Sequence, residues 1–330
     1  MSPPGRPKGE YRRAQPEGSP ATPPAVPGGW PWPAPVPGWH GLLQAIAEVL
    51  PAHAVLGWEA SLRLGPGGIA AGRLLVGLSP AGPDARLADL PARLGAPPAA
   101  ARAFADGLAG CDQVFLAAEQ DAGSLVAKAY LEWPVPLAAG RPAPRLQMRG
   151  WKWRLPAAGA ACADDRPLRV TDYLRWPVAG PAEALALLRA GQGAAAGARP
   201  ALALAADGLA QALARGGRAG FVPGLLLVHE PGSPRASCAL RLLDSGLHAG
   251  ALRAGIEQLA VLWRLDASTV AACMGAIAGR ELTWLAAGTD HHGEGFFTVY
   301  AAADPSDVSQ AMQAQAAPAS GIAPLLHCAP

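Results

Sequence analysis

The sequence predicts an α+β fold: a ten-stranded antiparallel β-barrel built from helix–hairpin repeats, with an outer ring of α-helices. Two observations and one physical requirement point there. Strand–turn–strand units recur five times between residues 55 and 301. Helix-like segments separate most of them. Ten antiparallel strands leave two unpaired edges unless the sheet closes or is covered, and a barrel inside helices achieves both. A two-layer open sheet with helices on one face is the other arrangement compatible with this order.

Taken along the chain, residues 1–38 form a Pro-rich segment without apolar periodicity and are expected to be a disordered tail. Residues 39–330 are expected to form one domain. Trp39–Leu50 has helical spacing and precedes a hairpin, Val55–Leu78, that turns at Gly65–Gly68. A helical stretch, Arg86–Gly110, leads to the second hairpin, Asp112–Pro134. Its junction with the third, Pro134–Pro144, is too short and Pro-rich for a helix. Arg145–Leu155 pairs with Leu168–Trp176. Helices at Pro181–Ala190 and Pro200–Arg215 follow, then a hairpin, Phe221–Asp244, turning around Pro231–Pro234. Leu247–Leu265 carries Leu252, Ile256, Leu259, Ala260 and Trp263 at helical spacing. A last hairpin, Glu281–Ala301, turns at Asp290–Gly293.

Composition excludes several classes. A net charge of +2 gives no global attraction to nucleic acid, although Arg149, Trp151 and Trp153 could stack bases locally. No uninterrupted apolar run reaches the ~18 residues of a membrane span, and a cytoplasmic location is expected. The five cysteines are scattered and never in a CxxC pair, which suits buried thiols in a reducing compartment and no zinc site. Asp290–Glu294 contains two adjacent histidines and is read as a polar turn, not a metal site. No Walker loop, GxGxxG after a strand, or Gly-x-Ser-x-Gly elbow is present.

The second hairpin carries the most chemistry. Its return arm sets Val126, Lys128 and Tyr130 on one face and Leu125, Ala127, Ala129 and Leu131 on the other. A cation and a phenol side by side on a strand with an apolar back suit an anionic ligand inside a β-rich cavity. Glu59, Ser61 and Arg63 likewise share a face on the first hairpin, either as cavity wall or as a solvated stripe.

Several of these pieces resemble the aromatic prenyltransferases of the ABBA (PT) barrel type, in particular the tryptophan dimethylallyltransferase (indole prenyltransferase) branch. Glu59 in Gly57-Trp58-Glu59-Ala60-Ser61 matches that branch's indole-binding glutamate. Arg73 in Gly72-Arg73-Leu74-Leu75-Val76 matches its diphosphate arginine. Val126-Ala127-Lys128-Ala129-Tyr130 matches its Lys-x-Tyr strand, and Phe297-Thr298-Val299-Tyr300 its closing tyrosine strand. Arg169 and Tyr173 match the outer residues of an Arg-x-Lys-x-Tyr strand; Thr171 stands where the lysine belongs, with Arg149, Lys152 and Arg154 nearby to compensate. Arg241 is the one cation on the fourth hairpin's return strand, which lacks the family's Gln-x-Tyr. A lysine expected before Lys128 is replaced by Val114-Phe115. Of four tyrosines one, Tyr11, lies in the tail, so the family's full tyrosine shield is absent and Trp58, Trp151, Trp153, Trp284 and Phe296 are candidate substitutes.

The resemblance implies transfer of a dimethylallyl or longer prenyl group from an allylic diphosphate to an indole or other aromatic small molecule, with no essential metal or other cofactor. It assigns Glu59 to the acceptor ring. Arg73, Lys128, Tyr130, Arg169, Tyr173 and Arg241 fall to the diphosphate, and Tyr300 and Trp284 to shielding the allylic cation. The depleted tyrosines keep a second reading open, a barrel that binds a hydrophobic or isoprenoid ligand or scaffolds a biosynthetic complex.

Overall fold

Alternation with period two dominates the strands, and in the computed structural model the two faces it defines meet very different surroundings. The structure describes residues 38–304 and 307, apart from 81, 83, 122–123, 136–142, 156–167, 177, 179, 192, 216–220 and 222. The expected tail, up to residue 37, lies outside the described residues.

The strands are β1 (Ala54–Gly65), β2 (Gly68–Ala70), β3 (Arg73–Ser79), β4 (Gln113–Asp121), β5 (Ser124–Glu132), β6 (Arg145–Arg154) and β7 (Leu168–Arg175). They continue with β8 (Gly224–His229), β9 (Ala236–Arg241), β10 (Leu282–Thr289) and β11 (Gly295–Ala303). Each pairs antiparallel with its neighbour, and β11 returns to β1 with Trp58 opposite Ala303 and Leu64 opposite Phe297. The sheet is therefore a closed ring of ten strands. The short β2 continues the line of β3 along β1, Leu64 facing Ile69, after a break at Ala71-Gly72. The helices are α1 (Trp39–Ala47), α2 (Ala85–Arg93), α3 (Pro98–Gly107), α4 (Pro181–Ala190), α5 (Arg199–Ala214), α6 (Arg253–Leu262) and α7 (Ala267–Ile277).

The apolar cores lie outside the ring. One joins α1, α2 and α3 to the outer face of β3–β6 through Leu42, Leu90, Phe104, Val76, Leu116, Leu131, Trp151 and Trp153. The other joins α4–α7 to β8–β11 and β1 through Leu188, Leu209, Ile256, Ile277, Leu240, Leu285, Val299 and Leu62. Burial between strand and helix, at ~25 cal/mol per Å² of apolar surface, is what stabilises the closed sheet. No described helix is long and apolar enough to cross a membrane.

Three helical expectations need correction. Arg86–Gly110 is two helices, parted at Gly95, whose φ of 72° ends α2, before Pro98 opens α3. Leu247–Leu265 is a 3₁₀ turn at Ala249–Leu252 followed by α6, which stops at Arg264 with φ 55°. The sequence reading missed α7, although Asp266 caps it by accepting from the Thr269 N–H at 2.7 Å.

Candidate active site

Alternate residues of every strand in the ring point into the barrel, where they line a chamber of about 410 Å³. That lies within the range of roughly 300–1,000 Å³ typical of small-molecule sites. Its lining divides into three zones.

At one end lie the cations. In the ladder register Lys128 on β5 faces Lys152 on β6, which in turn faces Arg169 on β7. Three like charges in a row across adjacent strands repel one another. Arg63, Arg73 and Arg235 complete the group. Lys128 and Lys152 are only 8% and 7% exposed. Burial first, then the neighbouring guanidinium of Arg73, pushes the Lys128 ammonium well below its usual range. Burial and Arg235 do the same to Lys152. Arg63 is brought down to about 10, again by burial and then by Arg73.

Carboxylates answer part of this charge. Glu119 on β4 pairs with Lys128 and lies 3.1 Å from Arg73 Nε. Asp290 accepts from Arg63 at 2.6 Å, and Glu230 sits 3.4 Å from Arg235. Arg169 Nη1 lies 2.6 Å from His291 Nε2, and that imidazole is held down to about 4 by burial and by Arg169, so it is neutral at pH 7. Arg73 Nη1 is buried with no hydrogen-bond partner among the described residues. An orphaned buried donor beside uncompensated ammoniums is the signature of a site made for an anion.

The middle zone is aromatic. Tyr130 and Tyr173 meet edge to face with centroids 6.1 Å apart, and their hydroxyls share a hydrogen bond. Burial raises both phenols, Tyr173 to about 12, so they remain neutral donors. Phe115, Phe296, Trp284, Tyr300 and Met148 fill the remaining wall. Arg63 stacks 4.5 Å from the Phe296 centroid and Arg73 5.8 Å from that of Tyr300. Gly150 faces Tyr130 across the ladder, and a Cβ there would fall 2.4 Å from the Tyr130 ring. Gly150→Ala is therefore expected to displace that ring, lowering the melting temperature and weakening any stabilisation by diphosphate in a thermal-shift assay.

The far end is acidic. Glu59 on β1 is 8% exposed, and burial raises its pKa to about 7 despite the Thr283 hydroxyl and the charge of Arg241. Glu132 on β5 also lines the chamber and accepts from Gln147 Nε2 at 2.6 Å.

Of the residues singled out from sequence, Glu59, Arg73, Lys128, Tyr130, Arg169, Tyr173, Trp284 and Tyr300 all line this chamber. Arg241 does not join the cation group. It sits opposite Trp284 in the ladder, two residues beyond the chamber-lining Ala239, and its charge acts on Glu59 and Glu132. Lys152 lines the chamber, whereas Arg149 is held by Asp172 at 2.6 Å and Arg154 by Ser124 at 3.0 Å, both outside its lining. Trp58, Trp151 and Trp153 pack on the helix side of the sheet, so among the proposed aromatic substitutes only Trp284 and Phe296 face the chamber. Missed from sequence were Glu119, Glu132, Arg235 and Phe115. The same every-second-residue count that selects Lys128 would have found Phe115, Glu119 and Glu132. Among the described residues no group of three His, Cys, Asp or Glu side chains could hold a metal ion.

A closed antiparallel barrel enclosing a chamber polarised from cationic to acidic across an aromatic belt is thus the class of site the chain builds. No family model matches the sequence, and no curated protein is significantly similar to it. Among solved structures it is similar to AnaPT from Neosartorya fischeri, at 13% identity and TM-score 0.40, covering 74% of this chain and 78% of that one. It is also similar to the NotF prenyltransferase, at 10% identity and TM-score 0.40, over 74% of this chain and 80% of NotF. NotF in complex with brevianamide F and DMSPP matches at 11% identity, TM-score 0.40, over 74% and 79%. No residue role is carried across from them.

Proposed function

We propose that the chain is an aromatic prenyltransferase that moves a dimethylallyl or longer prenyl group from an allylic diphosphate to an indole or other electron-rich aromatic small molecule, without an essential metal. The observation that carries this reading is the order of the three zones inside one chamber. Arg73, Lys128, Lys152 and Arg169 hold the diphosphate, with Tyr130 and Tyr173 donating to its oxygens. As the allylic C–O bond breaks, its electron pair leaves with the diphosphate, and these donors stabilise the growing charge. The faces of Tyr300, Trp284, Phe115 and Phe296 stabilise the allylic cation and keep water from it. The ring carbon of the acceptor supplies the electrons of the new C–C bond, and its proton passes to a diphosphate oxygen. Glu59 accepts from the ring N–H and raises the electron density of the ring.

The test is incubation with allylic diphosphates and a panel of indoles and phenols in the presence of a chelator, followed by mass spectrometry. A prenylated product that survives chelation is expected. Absence of product from every pair, with no diphosphate-induced rise in melting temperature, would remove the assignment. One feature favours a second reading: Glu119 is seated on Arg73 and Lys128. A barrel that binds an isoprenoid or other hydrophobic ligand without turning it over would be stabilised by that ligand and give no product.

A further inference from the structure

The acidic end of the chamber contains more acceptors than a single ring N–H can use. Two carboxyls, Glu59 and Glu132, form its charged lining, while the guanidinium of Arg241 acts on both from outside the lining and that of Arg175 reaches Glu132 more weakly. Asp112 adds a further negative charge near Glu132. Gln113 faces Glu132 across the ladder on the chamber side of β4, two residues from Phe115, and is 7% exposed. Its Oε1 and that of Gln147 are buried without hydrogen-bond partners among the described residues. Gln147 has turned its Nε2 to Glu132, which leaves the amide oxygen as the unanswered group. Each of these atoms accepts hydrogen bonds and none can donate. Burying acceptors unsatisfied costs about 1–3 kcal/mol each, so such a cluster implies a donor-rich partner. The raised carboxyl of Glu132, with burial the leading cause and Gln147 and Arg241 too weak to offset it, fits the same deficit of positive charge.

Resting on the prenyl-transfer reading, we propose that Glu132, Gln113 and Gln147 form a subsite for an ammonium group on the aromatic co-substrate, so that the acceptor is an aryl-alkylamine and not an aryl carboxylate. Glu59 then takes the ring N–H and Glu132 the ammonium. The chamber becomes complementary at both ends, cationic towards the diphosphate and acidic towards the amine.

Three probes that share an indole ring test this by calorimetry on the full chain at pH 8: tryptamine, 3-ethylindole and indole-3-propionate. Tryptamine is expected to bind about tenfold more tightly than 3-ethylindole, with indole-3-propionate the weakest. Glu132→Gln should bring tryptamine to within about twofold of 3-ethylindole and leave 3-ethylindole itself unchanged. Gln113→Met, a milder change, should weaken tryptamine alone. Equal binding of the three probes, a preference for the carboxylate, no binding by any, or an unaltered tryptamine preference in both variants would overturn the subsite. Prenyl transfer to neutral indoles without an amine preference would sink this inference alone. Loss of diphosphate-induced stabilisation would sink the transferase reading, whatever the indoles do.

Discussion

Lys128→Ala should lower kcat/KM for prenyl transfer by about 10²–10³-fold, while Glu119→Gln should strengthen diphosphate binding and weaken the unliganded fold. The two variants act on opposite partners of one contact. Lys128 is the centre of the cation row and the residue that Glu119 pairs with, so its removal takes a direct donor from the leaving group. Glu119 is an internal anion holding the place that a phosphate oxygen would take between Arg73 and Lys128. Removing one partner of a buried pair costs on the order of 3–5 kcal/mol because the remaining charges are left uncompensated. Glu119→Gln should therefore melt earlier alone and show a larger rise with diphosphate than the wild type. A smaller rise would mean that Glu119 helps to hold the anion and does not compete with it.

Glu59→Gln should reduce kcat/KM by about 10²-fold and flatten its dependence on pH. In the wild type the carboxyl is raised to about 7, chiefly by burial. Only the ionised form accepts strongly from a ring N–H, so activity should climb as pH rises through about 7 and level off above it. Stability moves the other way. A carboxyl raised in the fold binds its proton more tightly than in the unfolded chain, where its ordinary value is 4.5. Its contribution is complete below that value and is lost as pH climbs through about 7. Urea midpoints measured across this window should fall more steeply in the wild type than in Glu59→Gln. Parallel slopes would show that Glu59 is not the titrating group.

The barrel was legible because strand alternation survives in an Ala- and Gly-rich sequence: Leu125, Ala127, Ala129 and Leu131 face the helices, and Lys128 and Tyr130 face the chamber. Glu119 was hidden by the turn that follows it. Gln120 to Gly123 look like loop, yet β4 runs on to Asp121 and carries Glu119 to the level of Arg73. The tryptophans misled for the opposite reason. Trp151 and Trp153 flank Lys152 in sequence, and strand geometry turns immediate neighbours to opposite faces. Arg241 was picked by type alone; only the register with β10 shows that it belongs to the acidic end. Glycine at 150 carried no signal, since its need arises from a Tyr130 ring on the adjacent strand. Helix ends were blurred where a non-glycine residue, Arg264, adopts a left-handed conformation that sequence patterns assign to glycine.

Because the apolar layers sit between sheet and helices, the inner wall contributes comparatively little to holding the molecule together. Ala117, Ala239 and Ala286 stand on that wall as small side chains facing the chamber. Enlarging them would narrow the room for a guest while leaving the scaffold intact, which makes this lining a natural place to retune guest size by protein engineering.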